Sequence, residues 1–184
     1  MNHHDMTRNM VLAALFAALT AIGAFLQIPT GTVPITLQFL FTALAGLLLG
    51  WKWGAVSQLL YVGIGLLGLP VFTQGGGIGY VLQPSFGFLL GLIPAAAVIG
   101  ALTARRTGYL TVLAAVLVGD LILYAVGVPY MYLILHVYMQ SAKTFPALLA
   151  AMLVYVPGDT LKIVVVTALV PVLRRTLVKA VPNL

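Results

Sequence analysis

The sequence of 184 residues has no cysteine, no glutamate and only three acids, Asp5, Asp120 and Asp159. Without cysteine there are no disulfides, no thiolate nucleophile and no Cys-ligated zinc. Three scattered aspartates cannot build a carboxylate-rich metal site, so no metal is expected. No lysine follows a glycine, so the GxxxxGK[ST] loop that cradles nucleotide phosphates is missing. Ser57, Ser85 and Ser141 stand in no GxSxG and have no histidine and acid in a recognisable arrangement. Catalysis has almost no material here, and no catalytic residue is expected.

Charge is scarce as well. Only 7% of residues are charged and 62% are apolar, with a mean hydropathy of +1.13, whereas a soluble domain carries about 25% charged residues. A globule of this size has too little interior to hide so many aliphatic side chains, so lipid must solvate much of the surface. A soluble enzyme is thereby excluded. The net charge of +6 does not point to nucleic acid, because the cations are not gathered on one face. Arg8, Lys52, Arg105, Arg106, Arg174, Arg175 and Lys179 fall beside the ends of hydrophobic runs, as cytoplasmic anchors of membrane helices do.

The apolar runs divide the chain. The first spans about Met10 to Ile28 and stops at Pro29; it is long enough to cross a bilayer and reads as a retained helix rather than a cleaved signal. An uncharged loop, Thr30 to Pro34, follows. A second run, Leu37 to Gly50, ends at Trp51-Lys52-Trp53, an interfacial anchor, and a third, Ala55 to Leu69, ends at Pro70. Val71 to Ser85 is a long glycine-rich loop without a charge. The fourth span is about Phe86 to Thr103. The fifth, about Tyr109 to Val126, is expected to end at Gly127 and Pro129, with the aromatic stretch Tyr130 to Gln140 and its His136 lying near the interface. The last, Leu148 to Val172, is interrupted by Pro157-Gly158-Asp159. His3 and His4 are expected to be disordered.

Six spans with both termini inside put seven anchoring cations on the cytoplasmic side and leave Lys143 alone outside. The prediction is an all-α, polytopic membrane protein, a six-transmembrane-helix bundle forming one integral domain over residues 1–184. The short second and third runs are expected to be shallow or to line a cavity. No internal repeat is evident, which disfavours an inverted-repeat transporter.

Asp159 and Lys162 are the strongest chemical signal, because an acid and a base inside a span are each costly and their spacing puts them on one helical face. They either neutralise each other or meet a ligand. Pro157 and Gly158 just before them mark a kink or a helix start that would aim free amides at the site. Gln38, Gln74 and Gln83 offer neutral donors and acceptors. Phe72, Tyr80, Tyr124 and Tyr155 offer flat walls, and glycines such as Gly77 let backbone approach a ligand. Asp120 has no obvious partner and suits either packing or binding. On the first span, Ala13, Ala17 and Ala21, and beside them Ala14 and Ala18, recur every four residues. Such spacing permits close contact with this chain's own helices or with a partner's.

Four segments carry a resemblance: ProIleThrLeuGln (Pro34 to Gln38), GlyLeuProValPhe (Gly68 to Phe72), GlyAspLeuIle (Gly119 to Ile122) and ValProGlyAspThrLeuLys (Val156 to Lys162). Along nearly its whole length the chain resembles the BioY family, the biotin-specific S components of energy-coupling factor (ECF) transporters. The resemblance implies a plasma-membrane protein that binds biotin at the outer end of a six-helix bundle. One membrane coupling subunit and two ATPase subunits would supply the energy, so ATP would be used by the partners and no cofactor by this chain. It further implies that Asp159 accepts hydrogen bonds from the ureido N–H groups with Lys162 as the matching polar contact. The loop from Phe72 to Tyr80 would close over the ring, and the stripe of Ala13, Ala17 and Ala21 would dock on the coupling subunit. Two rivals stand on the residues alone: a self-sufficient proton-coupled transporter switched by Asp159 and Lys162, and an assembly subunit without a small ligand.

Overall fold

A computed structural model describes residues 3–30, 33–105 and 108–180, with side chains described for 5–30, 33–105 and 108–170. Arg106 and the side chains of Arg174, Arg175 and Lys179 therefore lie outside the described residues. Helices account for nearly all of the regular structure, since a backbone in an apolar solvent must satisfy its polar groups within the segment.

Helix α1 (His3–Phe25) is rich in alanine and leucine, strong helix formers. It already begins at His3, so the expected disordered start is corrected, and its first turns carry an Arg8–Asp5 ion pair at 3.6 Å. Beyond it, β1 (Gln27–Ile28) pairs antiparallel with β2 (Ile35–Thr36), Gln27 opposite Thr36 and Ile28 opposite Ile35. This ribbon, a departure from the expected all-helical chain, closes the base of what the sequence presents as a plain loop.

Helix α2 (Gln38–Leu66) is two helical arms folded back at Gly50, whose backbone (φ 77°, ψ 179°) is open to glycine and strained for other residues. The arms, 38–49 and 51–66, run antiparallel. Gln38 Nε2 donates to Tyr61 Oη at 2.8 Å, and Thr42 Oγ1 to Gln58 Oε1 at 2.9 Å. Nearer the tip, a Cβ on Gly54 would stand 2.8 Å from Gly46 Cα, so there is no room for a side chain between the arms there. The second and third runs of the sequence are thus a hairpin with Trp51 and Lys52 exposed at its tip. Each arm is shorter than the roughly 20 residues of an upright span.

Helices α3 (Phe86–Leu102) and α4 (Tyr109–Leu133) complete a tightly packed core with α2. A Cβ on Gly46 would stand 2.5 Å from the Ala96 carbonyl oxygen, one on Gly91 3.2 Å from Leu123 Cα, and one on Gly127 would enter the Phe88 ring. The predicted end of the fifth span at Gly127 and Pro129 is therefore corrected. Gly127 is a packing contact, and α4 runs through Pro129 to Leu133 and on into a π-helical turn, Ile134–Tyr138. One missing N–H is tolerated in such a setting because neighbouring helices and local π adjustment re-satisfy the backbone. His136 in that turn stacks on Tyr132 with ring centroids 5.4 Å apart.

Helix α5 (Phe145–Ala151), a 3-10 turn (Met152–Val154) and α6 (Val156–Ala180) form the last region, bent by 53° at Tyr155. Pro157 falls in the first turn of α6, where its missing N–H costs nothing. The antiparallel order of α1, the α2 arms, α3 and α4 sets Arg8, Lys52 and Arg105 at one end of the bundle and Lys143 at the other. By length and composition two unbroken helical stretches among the described residues suffice to cross a membrane, Asp5–Phe25 and Tyr109–Tyr138, and Gln38–Leu66 is also long and apolar but folded back at Gly50. The bent pair Phe145–Val154 and Val156–Val170 makes a fourth, while Phe86–Leu102 is apolar but shorter.

Candidate functional site

At the end of the bundle opposite Lys52, the ribbon, the first turns of α2 and α3, the C-terminal half of α4 and the start of α6 enclose a cavity. Its walls are mainly apolar, including Val33, Ile35, Phe39, Phe88, Leu89, Leu92 and Leu123, with Asp159 and Lys162 projecting in from α6. Both charged side chains are buried. One helical turn apart, they meet at 2.5 Å through Lys162 Nζ and Asp159 Oδ1. The other carboxylate oxygen, Oδ2, accepts a hydrogen bond from the Tyr124 hydroxyl of α4. A buried carboxylate thus has a counter-charge and a donor, the condition for holding charge out of water.

The start of α6 is fastened from outside. Tyr155, at the bend, donates its hydroxyl to the Val33 carbonyl and lies 2.9 Å from Thr30 Oγ1, tying the loop beyond the ribbon to the helix that carries the charges. The Asp159 backbone N–H bonds the Tyr155 carbonyl at 2.9 Å. Helical bonding has already begun at that residue, so the expectation of free amides aimed at the site does not hold for Asp159.

The predicted site residues separate into two groups. Asp159, Lys162, Gln38 and Tyr80 line the cavity together, with Tyr124 and Tyr155. Gln38 is engaged on both sides of its amide, receiving Thr36 Oγ1 at 2.9 Å and donating to Tyr61, so it anchors the hairpin as well as lining the wall. Phe72, Gln74 and Gly77 do not line it. Gln74 is exposed, and Gly77, at φ 98°, shapes the turn leading into a short 3-10 helix, Ile78–Leu82. Phe72 is wholly buried in an aromatic chain, edge-on to Tyr61 at 5.5 Å and 4.6 Å from Tyr80, which continues through Phe86 to Tyr130. It supports Tyr80 from behind, and the glycine-rich segment is an ordered wall rather than an open loop.

Thr73 and Ser85 line the cavity as well, without a motif in the sequence that marks them as site residues. Their hydroxyls lie 2.9 and 3.3 Å from Tyr80 Oη. The ribbon residues Val33 to Thr36 belong to the cavity too, and their only trace in the sequence is the ProIleThrLeuGln segment.

On α1 the predicted docking stripe faces mostly into the bundle. Ala13 is 1% and Ala17 4% exposed, both packed within the chain's own bundle, and Ala21 is half-buried. Of the two neighbouring small stripes, the outward one holds Ala14 and Ala18.

Comparison with known proteins follows the same geometry. The BioY family model matches residues 1–179. A probable biotin transporter BioY of Lysinibacillus sphaericus is 54% identical over 141 residues, covering 76% of this chain and 72% of that protein. The biotin transporter BioY of Thermotoga maritima is 36% identical over 159 residues, covering 86% and 90%, and that of Rhodobacter capsulatus 41% identical over 170 residues, covering 87% and 90%. The crystal structure of an S-component for biotin from an ECF-type ABC transporter aligns over 95% of both chains with a TM-score of 0.83 and 29% identity. With apolar helices, a transporter fold and no material for catalysis, this membrane protein belongs to the BioY family.

Proposed function

We propose that this chain binds biotin and serves its uptake as the substrate-specific S component of an ECF-type transporter, with Asp159 and Lys162 at the centre of the binding site. The observation that carries the reading is the buried, doubly engaged Asp159 in an apolar cavity at one end of a BioY-family fold. Biotin has two ureido N–H donors and a carbonyl on a rigid, largely apolar bicycle. Asp159 suits the donors, Lys162 the carbonyl, and Tyr80, Phe88 and Tyr124 the ring faces. Pairing with Lys162 and Tyr124 keeps the carboxylate oriented before ligand arrives, which lowers the ordering cost of binding.

In this reading the helical segments cross the plasma membrane as six spans: α1, the two arms of α2, α3, α4, and α5 with α6. Both termini face the cytoplasm with Arg8, Lys52 and Arg105, and the cavity opens outward. The protein forms one integral domain. Energy comes from a membrane coupling subunit and two ATPase subunits, consistent with a chain lacking a P-loop. The outward face of α1, with Ala14 and Ala18, takes the docking role first drawn for Ala13, Ala17 and Ala21. No observation favours a self-sufficient proton-coupled transporter.

Calorimetric titration of the detergent-purified chain with biotin tests the reading. Saturable one-site binding is expected, and a folded protein that gives neither a heat of binding nor a rise in melting temperature with biotin overturns it.

A further inference from the structure

The inner cavity leaves a carboxylate without a partner. Lys162, the one lysine or arginine among the residues that line the cavity, is already paired with Asp159 at 2.5 Å. An anion placed there would lose its hydration with no free cation to replace it. Biotin carries such an anion at the end of a short aliphatic chain, so its tail has to leave the inner cavity.

A second cleft lies directly beside the first. Met152 and Tyr155 line both, and the second is completed by Met131, Ala147, Leu148 and Lys143 among others. Its lining is mainly apolar, and Lys143 supplies a cation. Lys143 is exposed and forms no ion pair among the described residues, and its backbone N–H is held by Ser141 Oγ at 3.4 Å. It is also the one cation at this end of the bundle outside the buried pair among the described residues.

We infer that this cleft is a vestibule for the anionic tail of the ligand, with Lys143 pairing to its carboxylate while the uncharged bicyclic head occupies the inner cavity. The inference rests on the biotin reading and extends it to a residue that discriminates acid from neutral analogues. Lys143 acts at the mouth, where water competes, so its effect is modest and sensitive to salt.

The test is titration of the full-length, detergent-purified protein with biotin and with biotinamide, in which the carboxylate is replaced by an uncharged amide, at low ionic strength. Wild type should prefer biotin by about fivefold. Lys143→Met should bring biotin down to the affinity of biotinamide, Lys143→Arg should keep the preference, and added salt should erode the preference in wild type and in Lys143→Arg. Equal affinity of wild type for the two ligands overturns the inference and leaves biotin binding intact, and so does a Lys143→Met variant that weakens both ligands alike. Failure of wild type to bind either ligand overturns the underlying biotin reading together with it.

Discussion

Where α3 crosses α2 and α4, backbone lies on backbone. Gly46, Gly91, Gly100 and Gly119 leave no space for a Cβ, and buried Leu47, Ile99 and Val116 fill what remains. Helix α6 is joined differently. It meets α2 and α4 over far less of its length, and near the cavity the named links are polar: Tyr124 to Asp159 across the wall, and Tyr155 to the loop at Val33. One region is fixed by shape, which lipid cannot compete for; the other is fixed by a few directional bonds that a polar ligand can share or replace. The charged pair thus stands on the less tightly packed wall of its own cavity, where ligand binding can reorganise its bonds without disturbing the core.

Substitutions can break that contrast. The largest effect on stability is expected on the packed side. Gly46→Leu forces a side chain into the Ala96 carbonyl, with no flexible neighbour to yield, and should lower stability by about 1–3 kcal/mol or more. A thermal melt in detergent reads this as a clear fall in Tm. On the polar side, Tyr124→Phe removes the hydroxyl bonded to Asp159 and little volume. A hydrogen bond to a charged group contributes about 1.5–3 kcal/mol, so biotin affinity should fall roughly tenfold or more while the core remains intact; titration and melt on one sample separate the two. The smallest effect belongs to Asp120. Its buried Oδ1 has no hydrogen-bond partner among the described residues, so Asp120→Asn, which removes the uncompensated charge at little change in volume, should raise Tm slightly, by about 1 kcal/mol or less of added stability. A marked fall in Tm on that substitution would show that Asp120 has a stabilising partner.

Much of this contrast was written in the sequence at the level of chemistry, and little at the level of faces. Asp159 and Lys162 stand out because charge is rare in an apolar span and three residues make one helical turn. Pro157 marks the start of α6 to within a residue, and the break of the second and third runs lies at Gly50, beside the predicted Trp51-Lys52-Trp53 anchor. Which side of a helix points inward was not legible. In lipid both faces are apolar, so Ala13 and Ala14 look alike although one is buried and the other exposed. Pro129 misled for a related reason: its lost hydrogen bond is disruptive in an isolated helix and tolerated in a packed apolar one. Phe72 and Gln74 belong to the loop that the resemblance brings over the ligand, whereas a tight turn sends one into the aromatic chain and the other to the surface. The ribbon that forms part of the cavity wall is two residues per strand, too short for any alternation to register.

The claim that Asp159 holds the ligand is tested most directly by titrating Asp159→Ala with biotin, with a thermal melt beside it and Asp159→Asn as an isosteric control. A folded Asp159→Ala protein whose affinity drops by about a hundredfold or more is the expected result, given two charge-assisted hydrogen bonds lost together. A folded variant that binds biotin as tightly as wild type would contradict it and move the binding site away from α6.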